Sequence, residues 1–555
     1  MNSKWFLFWG CVVLVLGSVA GMIVTQHQRA EAVRGWETAT TSLDLPYRLP
    51  LAGVNVALTQ YLDEDGRLDA ELNAIEAAGF TWVRQTFLWA EIEPEQGTFD
   101  WNEADAIVNA VADHPKLQLV AVVDSAPDWA RNTLATGYDY APPADPAQYA
   151  AFASAFAGRY GDTITYYQIW DEPNIRSHWG SSDPRPAHYK TMLCAAYDSI
   201  HAADSSSNVI MAALAPTVET GPLNLSDLLF LRTMYELGGG DCFDAAAAKP
   251  YGYNLDPDDR QVDSEVLNFS RWILLREEMV AQGDATKPLW GSNFGWNYLP
   301  ADWDGTPSIW GSVSAAEQEQ FTRDAFRRAR DEWPWTGGLI LQHWQPDAPA
   351  TDGINGFAIA PVIDSWLANG PLVPVDDGLL PGLHSPDNAF TTYSENWQVQ
   401  TSGADYIPRE PGPNVGADAV PPDPEADASA VKNQITVQFS GTAFALPVQR
   451  DNYTAYLYVT IDGEQANVLP RNRQGDAYII LTSPERTAQL DLILVAEGLS
   501  DGVHTAEIIH RPDHGDDRWP IQGYAVATPP DTGRYTRNML ISGVIGVLAL
   551  LGAGI

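Results

Sequence analysis

The chain has 555 residues, more than one hydrophobic core usually supports, so two or more domains are expected. Its 72 acidic residues against 32 basic ones give a formal charge of −40, which argues against nucleic acid and anionic surfaces as partners of the folded part. The 3 cysteines form no metal-ligand spacing: Cys11 lies in an apolar run, and Cys194 and Cys242 are either two buried thiols or one bridge formed outside the cytoplasm.

In chain order, Trp5 to Val24 is an unbroken apolar run behind Lys4, long enough at roughly 20 residues to cross a bilayer as a helix. Ser18-Val19-Ala20 also suits signal-peptide cleavage, but the apolar part of a signal peptide is usually shorter, roughly 7 to 15 residues. An uncleaved anchor over 5–24 is the favoured reading. From about residue 50 short apolar runs alternate with amphipathic ones. The predicted strands are Gly53 to Thr59, Trp82 to Trp89, Gln118 to Asp124, Thr165 to Asp171, Val209 to Ala215, Ala245 to Tyr251, Leu289 to Gly295 and Gly338 to Trp344. Helices are predicted between them at Leu68 to Ala78, Ala147 to Tyr160, His188 to Ala202, Glu265 to Ala281 and Ala315 to Glu332. This alternation predicts an α/β fold, a (β/α)8 TIM barrel over 50–375.

Ile407 to Ala430 is rich in Pro, Gly, Ala and Asp and reads as a linker, bounded at 407–432. Strand-like alternation at Gln434 to Phe439, Thr454 to Ile461, Ala477 to Leu481, Leu490 to Val495 and His504 to His510, with Asp462-Gly463 and Asp501-Gly502 turns, predicts a small all-β sandwich over 433–528. Trp519 and Tyr524 there are either a sugar-stacking face or ordinary core. Met539 to Ile555 is a second apolar run, opened by Arg534 and Arg537 and marginally short for a span, which gives apolar membrane segments at both ends. The cationic residues cluster on the domain side of both runs, so charge counting does not set the orientation.

Chemistry concentrates in two motifs, Trp170-Asp171-Glu172-Pro173-Asn174 and Trp290-Gly291-Ser292-Asn293-Phe294-Gly295-Trp296. The first resembles the W-N-E-P-N acid/base motif of clan-A glycoside hydrolases, and the second resembles the W-x-x-E-F-G segment that carries their nucleophile. Further matches run across residues 50 to 345. Trp82-Val83-Arg84, Phe87-Leu88-Trp89, Ile92-Glu93-Pro94, Gly97 and Phe99-Asp100-Trp101 resemble the second-strand signature, Pro250-Tyr251 the end of H-P-Y on strand six, and Trp344 the eighth-strand Trp. The resemblance implies a barrel acting on O-glycosidic bonds of a β-linked glycan, outside the cytoplasm. It implies Glu172 as proton donor, with its pKa raised by burial against Trp170 and by the Asp171 charge. Arg84, Trp129, Asn174, Lys249, Tyr251, Trp296 and Trp344 are the implied substrate-binding residues. Arg84 is also open to pairing with Glu91 or Glu93, and Trp129, Trp179, Trp296 and Trp344 to ordinary packing.

Three departures remodel the implied pocket: Asp171 replaces an Asn, Lys249 a His, and Asn293 the nucleophilic Glu. An amide does not attack an anomeric carbon as a carboxylate does. Three accounts remain. Asp171 and Glu172 serve a substrate-assisted mechanism with a 2-acetamido nucleophile; or Glu172 works with Asp124 or Asp347 in an inverting one; or the barrel binds glycan without cutting it. Lys249 pairs with Asp171 or meets an anionic sugar. The expected partners are an oligo- or polysaccharide and, through the terminal segments, a lipid bilayer; no metal, organic cofactor or nucleic acid is implied.

Overall fold

The computed structural model describes residues 3–553 apart from 39, 133–137, 139, 181, 408–432 and 529, so the expected linker lies, from 408 onward, outside the described residues. Eight parallel strands close into a barrel in sequence order: β1 (Ala52–Val56), β2 (Trp82–Leu88), β3 (Gln118–Asp124), β4 (Tyr166–Asp171), β5 (Asn208–Leu214), β6 (Ala245–Ala248), β7 (Leu289–Phe294) and β8 (Thr336–Leu341). Each lies within a residue or a few of its predicted span, because strands buried on both faces read as apolar runs that stop at turns. Helices cover the outside. The one at Ala315–Glu332 starts at a capping box between Ser314 and Glu317, and the one at Pro146–Tyr160 at the Asp145 cap with Pro in its first turn.

Alternation along each strand stacks the barrel interior in layers. The lowest is an apolar plug in which Trp82 meets Trp290 edge-to-face at 5.0 Å and Tyr166 at 5.1 Å, with Ile340 in the same cluster. Glycine makes room for it: a Cβ on Gly338 would stand 2.6 Å from the Trp290 ring, and one on Gly53 2.4 Å from Ile340. Two residues further along each strand come Asn55, Arg84, Gln168 and Ser292, a buried polar layer. The Asn55 amide donates to the Ser292 and Leu341 carbonyls at 2.9 Å each, and Ser292 Oγ to Gln168 Oε1 at 3.2 Å.

Antiparallel sheets follow the barrel. One orders Thr391–Tyr393, Gln434–Ser440, Val503–His514, Thr454–Ile461 and Glu464–Gln465, with Tyr478–Ile480 also on Thr454–Ile461; the facing one orders Gln489–Ala496, Ala443–Arg450, Tyr524–Ala527 and Gly382–His384. The sandwich therefore draws strands from both sides of residues 408–432. Tyr524 is wholly buried, stacked on Phe444 with its hydroxyl 2.9 Å from that of Tyr393, which makes it core rather than a sugar platform.

The chain ends in helices, Ser3–Val33 and Gly533–Ala553, that pack on each other. Among the described residues one helix, Phe8–Val33, is long and apolar enough to cross a membrane. The expectation of such a segment at each end is thus met at the N-terminal end alone. Arg534, Arg537 and Asn538 occupy the first turns of the other helix and shorten its apolar part. Within the barrel, Trp290→Ala should cost about 3–5 kcal/mol by opening a cavity under the polar layer. A denaturation midpoint unchanged from the parent would show that the plug does not carry the barrel.

Candidate active site

The site is built where β4 ends. By alternation Trp170 would point inward after Tyr166 and Gln168, but its backbone lies in the left-handed region at φ 68°. The indole turns outward instead, against Tyr149 and Trp179 at 5.9 and 6.0 Å. Asp171 takes the inward place, and Glu172, at φ 49°, follows it over the barrel mouth while its N–H donates to the Ala213 carbonyl at 3.0 Å. Non-glycine residues held in that region cost of order 1–3 kcal/mol each, and such strain clusters at functional sites.

The two carboxylates stand in a ladder of opposite charges. Arg84 donates to Asp171 Oδ1 at 3.2 Å and is itself fixed by Asn55 Oδ1 at 2.6 Å and Gln168 Oε1 at 3.1 Å. Lys249, inward from the end of β6, lies 2.8 Å from Asp171 Oδ2 and 2.8 Å from Glu172 Oε1. His178 Nδ1 reaches Glu172 Oε2 at 2.6 Å as an ion pair, off line for a hydrogen bond. Lys249 thus pairs with Asp171, the simpler of its two expected roles, and with Glu172 as well. Arg84 spends its charge on Asp171, away from Glu91 and Glu93.

This ladder corrects the charge state expected for Glu172. Burial pushes its pKa up, but Lys249 and His178 outweigh burial and hold the carboxyl well below the usual range. His178 moves the opposite way: burial lowers it, and the Glu172 contact more than restores it, leaving a raised imidazole. Asp124, inward at the end of β3, is the carboxyl with the raised pKa. Burial, then the Asp171 charge, push it up to about 7 against the Ser125 N–H, which donates at 2.6 Å, and against His178 and Lys249.

Opposite the ladder, Asn293 on β7 donates Nδ2 to Gln342 Oε1 at 2.8 Å, and the Tyr251 hydroxyl donates to the same oxygen at 2.9 Å. Asn293 Oδ1 is buried with no partner among the described residues. His343 follows Gln342 and is pushed down to about 3 by burial and by the charges of Lys249 and Arg84, so it stays neutral. The other expected contacts are less available. The Asn174 amide is used on Ala215 and Leu225 backbone, Trp296 and Trp344 are buried with their N–H groups on the Leu255 carbonyl and Glu71, and Trp129 donates to the Glu93 carbonyl. Asp347 is exposed on its loop.

Three contributors escaped the sequence reading: His178, Gln342 and Trp310, whose half-exposed ring lies 5.6 Å from Tyr251. His178 was the one of the three with a signal, a titratable ring in the loop directly after the acidic motif. Among the described residues no group of three His, Cys, Asp or Glu side chains is placed to hold a metal ion.

No protein-family model matches the chain, and no curated protein sequence matches it. Among solved structures, a family 39 glycoside hydrolase from Bacteroides cellulosilyticus WH2 aligns with 16% identity and a TM-score of 0.44 over 82% of this chain and 82% of its own. A glucosidase from Croceicoccus marinus aligns with 14% identity and a TM-score of 0.43 over 86% and 98%. A monomeric beta-xylosidase from Caulobacter crescentus CB15 does so with 13% identity and a TM-score of 0.42 over 85% and 98%.

The two carboxyls lead to opposite pH behaviour. Glu172 is depressed, so its contribution to stability is present above its unfolded pKa and lost as pH falls through the folded one. Asp124 is raised to about 7, so the folded state holds its proton more tightly and stability is lost as pH climbs from its unfolded value through about 7. Asp124→Asn should remove that loss, gaining up to about 4 kcal/mol over the parent above pH 7 and little at pH 4. Parallel curves of denaturation midpoint against pH for variant and parent would refute a buried, proton-retaining Asp124.

Proposed function

We propose that the chain is a membrane-anchored, extracytoplasmic glycoside hydrolase that cleaves O-glycosidic bonds of an uncharged, β-linked glycan. Glu172 and Asp124 are its acid/base pair, and no covalent intermediate forms at Asn293. The observation that carries this reading is the arrangement at the barrel mouth: Lys249 and His178 stand 2.8 and 2.6 Å from Glu172 and favour its anion, whereas burial and the Asp171 charge favour the protonated form of Asp124. Two carboxyls pushed apart in this way suit the two proton transfers of a single displacement. Asp124 gives its proton to the leaving oxygen as the bond from C1 to that oxygen breaks. Glu172 takes a proton from the water whose oxygen bonds to C1. The motif position alone implied Glu172 as donor; its pairing with Lys249 favours it as acceptor.

Asn293 supplies an acceptor, its unpartnered Oδ1, and a fixed amide for a sugar hydroxyl or the attacking water. Lys249 and Arg84 are neutralised by Asp171 and Glu172, which favours an uncharged substrate over a uronate. The Cys194–Cys242 disulfide supports an oxidising compartment, and the apolar helix Phe8–Val33 supports the anchor. A second reading, glycan binding without cleavage, is favoured by one feature: Lys249 clamps both carboxylates at once.

The solubilised protein, offered a panel of β-linked oligosaccharides, should release sugar whose first-formed anomer, read by proton NMR, is inverted. Glu172→Gln and Asp124→Asn should each lower turnover by about two orders of magnitude or more, as loss of general acid or base does. Fluorosugar labels should leave residues 288–297 unmodified. Retention without labelling would transfer the nucleophile to a substrate acetamido group oriented by Asp171. Binding without release by the parent would establish the second reading.

A further inference from the structure

The helices Ser3–Val33 and Gly533–Ala553 run antiparallel: Gly21 lies against Ser542, and Ser18 against Gly546. On the first, Cys11, Ser18 and Thr25 are buried at a seven-residue spacing, with Val15 and Met22 half-buried between them. On the second, Tyr535 and Ala549 are buried, and Met539, Ser542 and Gly546 half-buried, at alternating spacings of four and three. This is the seam of a left-handed helix pair. Its backbones approach closely where glycine stands. A Cβ on Gly546 would lie 2.7 Å from Ser18 Oγ, one on Gly21 3.2 Å from Ser542 Oγ, and Ser18 Oγ donates to the Ser542 carbonyl.

The polarity of this pair is the reverse of a hairpin stable in water. Cys11, Ser18, Thr25, Ser542 and small residues share the seam with Val15, Met22, Tyr535 and Met539, while Leu14, Leu16 and Ile23 on one helix and Leu540, Val544 and Leu548 on the other stand exposed. Apolar surface left in water forfeits the free energy its burial would gain. Lipid tails remove that cost, and with no hydrophobic drive between helices, close small-residue contacts and hydroxyl bonds become what joins them. The 26 residues of Phe8–Val33 rise about 39 Å at ~1.5 Å each, past the ~30 Å of a bilayer core. Exposed Arg29 and Arg537 ring the barrel end of the pair, where headgroup phosphates would meet them.

We infer that the occupant of this apolar face is a lipid bilayer, and that the two terminal helices form one two-span hairpin anchor. The N-terminal segment is then kept, since cleavage after Ala20 would remove half of the seam. Residues at the two outer ends of the hairpin lie together on the membrane face opposite the barrel. The C-terminal helix, whose apolar part falls short of a span by itself, enters as the partner of the first. The inference rests on the anchored reading above and goes further than it.

The test uses the full chain with a different tag at each end, expressed into membranes. In a Cys11→Ser background, Ser18→Cys with Gly546→Cys should oxidise fully, because a Cβ at 546 lies 3.3 Å from that of Ser18, near the span of a disulfide. The outward pair Leu16→Cys with Leu548→Cys should not. The product is read as joined N- and C-terminal peptides in a mass spectrum of the carbonate-resistant fraction, with both tags digested from the face opposite the barrel. Soluble chain lacking its N-terminal tag would overturn the anchor and the hairpin together. A membrane-bound chain that keeps the tag but fails to cross-link at the seam, cross-links equally at the outward pair, or shows its C-terminal tag on the barrel side would overturn the hairpin and leave a single-span anchor.

Discussion

The backbone at Trp170 decides what the barrel presents at its mouth. A regular strand would have put an indole inside and Asp171 outside, closing the barrel with another apolar layer. The left-handed turn reverses the order, and the indole finds its place among Tyr149 and Trp179 outside while two successive carboxylates enter the mouth. What holds the turn is packing on one side and charge on the other. The buried outer aromatic ring fixes Trp170, and Arg84 and Lys249 pull Asp171 inward.

Buried charges are tolerated here because each has partners already in place. The carboxylates could not be desolvated alone, and breaking a buried pair by removing one member typically costs several kcal/mol. Arg84 is oriented by Asn55 and Gln168, and Gln168 is held in turn by Ser292, so the polar layer acts as a platform for the ionic layer above it. The apolar plug below keeps that platform dry. Asp124 lies at the rim of the ladder, where burial and then the Asp171 charge favour its proton against the Ser125 N–H that donates to it.

Much of this order was legible in the chain. The strands could be read because parallel barrel strands are apolar throughout; Asp171, Glu172, Lys249 and Asn293 could be placed because each stands at or near a predicted strand end, and Arg84 because it is a lone cation inside the second strand. The charge state of Glu172 could not, since it depends on His178 and Lys249 meeting it in space. The partners of the tryptophans were hidden for a related reason: Trp296 and Trp344 occupy motif positions and turn their N–H groups to Leu255 and Glu71. In the sandwich, Ala443–Arg450 was hidden by Pro447, a residue that usually marks a strand as peripheral. Its carbonyl accepts from Gln522, so the missing N–H faces the flank beyond the end of Tyr524–Ala527 and costs no ladder bond.

The acidity of the whole chain bears on the anchor as much as on the substrate. A formal charge of −40 repels a surface of anionic headgroups, so the folded domains gain nothing from lying against one. At physiological salt that repulsion fades beyond about 8 Å. In the proposed anchor apolar insertion supplies the attachment, and Arg29 and Arg537, within the two terminal helices near their barrel ends, offset the repulsion at the headgroups. The same field disfavours polyanionic glycans at long range, while the pocket's own cations are already matched by Asp171 and Glu172. For the proposed glycan substrate, surface and site thus favour the same kind of molecule, a neutral one held by hydrogen bonds and ring contacts more than by charge.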